Sequence, residues 1–202
     1  MTFFFVDLQG FYDLEGNLVV KELCILNADN TFFHHTIYNK PKNCIIPNPQ
    51  IHIHNKYAKS NQWLTNHYHH LNTNDGEREY YLLLSDVQKI LKYEPATIFT
   101  CGLHKVHLIQ ALLTNNHKPW SGLNMIYNLD IGIPIVDLTN GYATNNCFDE
   151  YNHLSFPNLN YLFNNYFKHS YINNCPYHAG RHCALFNCNL LKMHVTIISS
   201  CQ

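Results

Sequence analysis

Residues 175–188 read CPYHAGRHCALFNC and carry the most specific signal in the chain. Cys175 and His178 are three positions apart, a spacing at which a tight turn can bring a thiolate and an imidazole to one metal ion. Cys183 follows after a glycine-containing turn. Structural zinc takes four ligands, so the fourth must come from elsewhere. Because the chain has 8 Cys and 15 His, chance pairs are also expected, and ordinary thiols remain an open alternative.

The sequence upstream of this stretch predicts a sheet with helices packed on it. Apolar runs predict strands over residues 2–8, 18–26, 31–38, 96–101 and 131–138. Helical spacing predicts helices over residues 84–91, 103–113, 158–167 and about 182–194. A turn is expected over 10–16 and an irregular loop over 39–62. Three adjacent strands followed by alternating strands and helices indicate an α/β or α+β mixed sheet in one domain over 1–202.

Composition indicates a globular protein with few charges. Hydrophobic residues make up 46% and charged residues 13% of the 202 positions, and the net charge is −1. This balance argues against a wide basic footprint for nucleic acid, although 15 His can supply a local patch. Neither a basic leader before Asp7 nor an apolar run of ~20 residues is present. We therefore expect an intracellular protein, cytoplasmic or nuclear, without a membrane span, whose cysteines are thiols or metal ligands.

The segment CPYH…HCALFNC resembles the C-terminal end of the exonuclease domain of arenavirus nucleoproteins, a zinc-containing member of the DEDDh 3′–5′ exonucleases. The zinc pattern also resembles that of the Maelstrom domain. Other stretches are similar in the same order, namely Asp7–Gly10, Lys21–Leu26, Thr100–Lys105 and Ile135–Leu138. The resemblance implies an RNase H-like exonuclease fold. VDLQGF at 6–11 is also similar to short proteins of insects, which suggests an insect, insect-virus or mobile-element origin.

The resemblance implies a structural Zn²⁺ held by four residues of this chain. They are Glu22, Cys175, His178 and Cys183. A closed tetrahedral site of this kind has no open position for water. Its expected role is to fix the final helix to the second strand.

The same resemblance implies that the cutting site is degenerate. The family's four acids fall on Asp7, Gln9, Lys105 and Asn187, and its general base falls on His182. Gln9 and Asn187 keep the shape of an acid without its charge, and Lys105 puts an ammonium where a divalent cation is expected. One acid cannot hold a Mg²⁺ or Mn²⁺ pair. Asp13 and Asp137 could add carboxylates, but one lies in a turn and the other in a non-catalytic strand.

Three functions stay open at this point. The first is a catalytically silent exonuclease fold that serves as a binding or scaffolding module, with RNA or single-stranded nucleic acid as a candidate partner. The second is an active nuclease with a rearranged site. The third is a self-associating structural protein of a virus, for which few surface charges would need desolvation.

Two further features each have two interpretations. The His67–His70 cluster could bind a metal, but a solvated turn is the simpler hypothesis. Trp63 and Trp120 could stack on bases, whereas packing within the protein is the more common role of such residues.

Overall fold

The computed structural model describes residues 1–93, 95–114, 133–139, 142–143 and 183–200. The strands are β1 (Thr2–Tyr12), β2 (Leu18–Asn27), β3 (Phe33–Ile37), β4 (Ala96–Thr100), β5 (Ile135–Asp137) and β6 (Tyr142–Ala143). The α-helices are α1 (Lys56–Trp63), α2 (Leu83–Gln88), α3 (Leu103–Leu113) and α4 (Ala184–Ser200). A π-helix (Leu64–Tyr68) follows α1, and two 3₁₀ turns (Tyr80–Leu82 and Lys89–Tyr93) flank α2.

The strands form one mixed sheet in the order β3-β2-β1-β4-β5-β6. β1 pairs antiparallel with β2 and parallel with β4, so it lies between the two halves of the sheet. β2 pairs antiparallel with β3, β4 pairs parallel with β5, and β5 pairs antiparallel with β6. The fold is therefore mixed α/β, as the order of predicted elements indicated.

Successive side chains of β1 point to opposite faces of the sheet and pack into two separate hydrophobic cores. Phe4 and Val6 pack in the core that contains Val106 of α3, and Phe5 packs in the core that contains Cys188 of α4. Side chains on adjacent strand positions point to opposite faces, and burying each large one contributes about 1.5–3 kcal/mol. The sheet is thus covered by helices on both faces.

Two glycines shape the region between β1, β4 and α3. The β1–β2 register shifts at Gln9 and Gly10, and a Cβ on Gly10 would lie 2.2 Å from the backbone oxygen of Val19. Gly102 has φ of 105°, which a side chain would disfavour, and it turns the chain from β4 into α3. This turn places Lys105 in the first turn of α3.

Most predictions for the described elements are confirmed, and two are wrong. Gly10 belongs to β1 rather than to a turn, because the strand continues through a bulge to Tyr12. The predicted loop over 39–62 contains α1, whose start is capped by the Asn55 side chain accepting from the Tyr57 amide at 2.9 Å. The predicted helix over 158–167 lies outside the described residues.

No helix of the described residues combines the length and the apolar character needed to cross a bilayer.

A buried carboxylate ties α2 to β3 and gives a pH prediction. Asp86 is fully buried and accepts hydrogen bonds from Tyr38 at 2.8 Å, from Lys89 at 2.8 Å and from Arg78 at 2.5 and 2.7 Å. Burial alone would raise the pKa of Asp86, but the donors outweigh it and lower the pKa to about 2. Because the folded pKa is depressed, this stabilisation is present above the unfolded value of 3.8 and is lost as the pH falls through about 2.

Asp86→Asn is therefore expected to reduce the free energy of unfolding at pH 7 by about 2–4 kcal/mol. The difference from the wild type should shrink as the pH falls from about 4 towards 2. Urea unfolding at pH 7, 4 and 2.5 measures this, with Glu15→Gln as a control at an exposed acid. A constant difference at all three values would show that the Asp86 charge is not the cause.

Candidate functional site

Glu22, His35 and Cys183 form a compact group of potential metal ligands. Oε1 of Glu22 lies 2.7 Å from Nε2 of His35 and 3.3 Å from Sγ of Cys183. The three candidate ligand atoms all lie within 4.8 Å of one another. Glu22 and Cys183 are buried, and the His35 side chain is only 3% exposed. A carboxylate, an imidazole and a thiol at these separations could hold a metal ion.

Strand register and a helix start bring these three residues together. His35 of β3 is opposite Cys24 of β2, so Glu22 is its diagonal neighbour on the same face. Cys183 immediately precedes α4, whose first amide, that of Ala184, donates to Oε2 of Glu22 at 3.1 Å. A carboxylate is favoured at a helix N-terminus by the helix dipole. Glu22 thus connects β2, β3 and α4.

The structure brings together two of the four predicted zinc ligands, Glu22 and Cys183. Cys175 and His178 lie outside the described residues, as does the predicted base His182. His35 was not among the predicted ligands. The sequence places His35 in the third predicted strand. It does not give the pairing register that makes His35 a neighbour of Glu22.

The four positions assigned to the family's acids form a second cluster, around Asp7. The Asp7 carboxylate is fully buried. Its Oδ2 accepts from the side-chain amides of Gln9 and Asn187, each at 2.8 Å, and its Oδ1 accepts from the Lys105 ammonium. β1, α3 and α4 therefore converge on one carboxylate.

The charges in this cluster balance without a metal ion. Burial alone would lower the pKa of Lys105, but the adjacent Asp7 carboxylate, together with Tyr68 and Cys101, outweighs burial and raises the pKa above its ordinary value. Lys105 is therefore a cation and neutralises the single negative charge of Asp7. Gln9 and Asn187 contribute amide donors, which stabilise a carboxylate and do not attract a divalent cation.

The metal-ligand group and the Asp7 cluster are direct neighbours. Gln9 of β1 is paired with Glu22 of β2, and α4 spans both groups because Cys183 and Asn187 are one helical turn apart. The backbone amide of Asn187 donates to the backbone carbonyl of Cys183 at 3.0 Å. A shift of α4 would therefore disturb both groups together.

Asp13 and Asp137, the two acids considered as additional carboxylates, have local hydrogen-bond partners. Oδ1 of Asp137 accepts from the amides of Gly102 and Thr139, at 2.8 and 2.9 Å, and holds the turn before α3. Oδ1 of Asp13 accepts from the amides of Glu15 and Asn17 and closes the β1–β2 turn. Both acids thus have local structural roles.

The His67–His70 segment borders the Asp7 cluster and does not gather its histidines into one site. His69 is buried and lies with Nε2 3.1 Å from the Gly10 carbonyl, whereas His67 and His70 are exposed. Trp63 is 54% exposed and stacks on Tyr68 at a ring separation of 5.9 Å. Trp63 therefore presents an aromatic face to solvent, while Trp120 lies outside the described residues.

The chain matches no protein-family model, and no curated protein matches it significantly.

Proposed function

We propose that this chain is a catalytically inactive member of the exonuclease-like, RNase H-like proteins that serves as a binding or scaffolding module. The observation that carries the proposal is the environment of Asp7. The three other positions assigned to catalytic acids surround it, and each presents a nitrogen donor to its carboxylate. Neither two neutral amides nor an ammonium supplies the carboxylate charge that a pair of divalent cations needs.

This arrangement opposes two-metal chemistry for an electrostatic reason. A two-metal nuclease clamps the attacking and leaving oxygens between two divalent ions held by several carboxylates. Among the described residues, a divalent ion near Asp7 would meet the Lys105 ammonium and one acid. Repulsion between two buried cations, together with the cost of dehydrating Mg²⁺, makes binding unfavourable.

We propose zinc as the ion for the neighbouring group. Mixed carboxylate, imidazole and thiolate donors suit zinc better than Mg²⁺ or Ca²⁺, which prefer oxygen. Glu22 and Cys183 would hold it, and the resemblance implies Cys175 and His178 as candidates for the remaining positions. When bound, zinc would join β2 to the start of α4 and stabilise the fold. Its chemistry would be structural, because four protein ligands leave no position for a reactive water.

We propose RNA or single-stranded nucleic acid as the candidate partner. The exposed Trp63 ring, which stacks on Tyr68, offers a stacking surface for bases. Burial raises the pKa of Tyr68 beneath it, and Lys105 and Asp7 are among the charges acting on that hydroxyl.

A cleavage assay tests the inactive state. Purified protein is incubated with single- and double-stranded RNA and DNA in Mg²⁺, in Mn²⁺ and without added metal, and products are separated on denaturing gels. We expect no degradation under any of these conditions. Degradation that disappears in Asp7→Ala would overturn the proposal, since it would show that the single remaining acid supports catalysis.

A further inference from the structure

We infer that His35 is itself a ligand of the proposed zinc ion, in place of one of the four that the resemblance implies, rather than only a hydrogen-bonding neighbour of Glu22. This inference rests on the zinc centre proposed above. His35, Glu22 and Cys183 come from β3, β2 and the start of α4, and their ligand atoms all lie within 4.8 Å of one another. These three residues leave one position of a tetrahedral site for Cys175 or His178.

Two donors converge on one oxygen of Glu22. Nε2 of His35 and Sγ of Cys183 lie 2.7 and 3.3 Å from the same Oε1. A zinc ion between the three atoms takes a thiolate and a neutral imidazole as ligands. The thiol proton is released, and the imidazole carries its proton on Nδ1 instead of Nε2. In the metal-free protein, hydrogen bonds from His35 and Cys183 to Glu22 therefore occupy the space that the zinc ion would take.

Two of the three ligand-atom separations compare directly with those of a zinc site. Bond lengths of about 2.0–2.3 Å to zinc put tetrahedral ligand atoms about 3.3–3.7 Å apart. The observed separation of 3.3 Å between Glu22 and Cys183 agrees with this range. The 2.7 Å separation between Glu22 and His35 needs to widen by about 0.6 Å, which a small side-chain rotation provides.

His35 also suits the charge of the ion. Glu22 and a Cys183 thiolate together neutralise Zn²⁺, and a neutral His35 imidazole adds a ligand without adding charge.

Three variants separate ligation from hydrogen bonding. His35→Gln keeps an N–H that can donate to Glu22 but supplies a poor zinc ligand. His35→Ala removes both capacities. His34→Ala is the matched control, because His34 is the adjacent residue of β3 and lies with Nε2 3.4 Å from the Tyr38 hydroxyl, away from the ligand group.

Zinc content is measured on each purified variant, and affinity is measured by competition with a chromophoric chelator. We expect His35→Gln and His35→Ala to bind zinc at least a hundredfold more weakly than the wild type, beyond the roughly 10–100-fold typical of outer-shell changes. His34→Ala should bind as the wild type does. A His35→Gln variant within tenfold of the wild type would overturn the inference and leave the zinc centre intact, whereas a wild type without zinc affinity would overturn both.

The wild type alone provides a second test, which does not depend on the folding of variants. Long-range ¹H–¹⁵N spectra report the state of each imidazole nitrogen. When zinc is returned to chelator-treated protein, Nε2 of His35 is expected to move to the chemical shift of a metal-bound nitrogen and Nδ1 to become the protonated one. An unchanged His35 signal during stoichiometric zinc uptake would contradict ligation.

Discussion

Cys183→Ser is expected to remove zinc from the protein and to lower its melting temperature by about 8–16 °C. Bound at a concentration a thousandfold above its dissociation constant, zinc stabilises the folded state by about 4 kcal/mol. In a domain of this size, each kcal/mol corresponds to about 2–4 °C. Serine keeps the size of the side chain but is a poor zinc ligand. Elemental analysis and thermal unfolding with and without a chelator measure both effects.

The controls for Cys183→Ser follow from the metal-ligand group. Chelation of the wild type should lower its melting temperature by a similar amount, and the variant should be insensitive to the chelator. Cys101→Ser is the matched cysteine control, because Cys101 lies at the end of β4 with Sγ 2.9 Å from the Thr139 hydroxyl. Full zinc retention in Cys183→Ser would rule out a zinc centre that uses this thiol.

Asp7→Ala is expected to reduce the free energy of unfolding by about 3–5 kcal/mol, because it leaves the Lys105 ammonium buried without its counter-charge. In a cluster of several metal-binding acids, removal of one acid relieves repulsion and tends to stabilise the metal-free protein. The sign of the change therefore distinguishes a site balanced by Lys105 from a metal site. Urea unfolding of zinc-loaded protein at pH 7 measures it.

A double-mutant cycle isolates the interaction of the pair. Asp7→Ala combined with Lys105→Met removes both charges, and methionine fills part of the volume of the lysine side chain. The double variant should be more stable than the sum of the single changes predicts, with a coupling of about 1–3 kcal/mol. Additive changes would indicate that Asp7 and Lys105 do not depend on each other.

Local patterns in the sequence were sufficient to predict most of the described fold. The apolar runs of β1, β2 and β4 and the helical spacing of α3 are strong because both faces of the sheet are buried. The π-helix after α1 and the bulge at Gly10 could not be predicted in the same way. Each depends on contacts with distant residues, such as the 3.1 Å contact of His69 with the Gly10 carbonyl.

The candidate site also contains contacts that the sequence could indicate and contacts that it could not. Glu22 and Cys183 could be paired in advance only through the family resemblance, because 161 positions separate them. The convergence of Gln9, Lys105 and Asn187 on Asp7 could be anticipated in the same way, although the balance of charges emerges only from the hydrogen bonds themselves. The place of His35 depends on strand register, which one sequence does not determine.

Titration of the zinc-loaded wild type with Mn²⁺, followed by electron paramagnetic resonance, tests the central claim most directly. The positive control is the variant Gln9→Glu/Lys105→Asp/Asn187→Asp, which restores four carboxylates and is expected to remove Mn²⁺ from the free pool. For the wild type we expect the signal of free Mn²⁺ to equal the total added, because Lys105 supplies the positive charge beside Asp7. Saturable binding of Mn²⁺ by the wild type that is lost in Asp7→Ala would contradict the account.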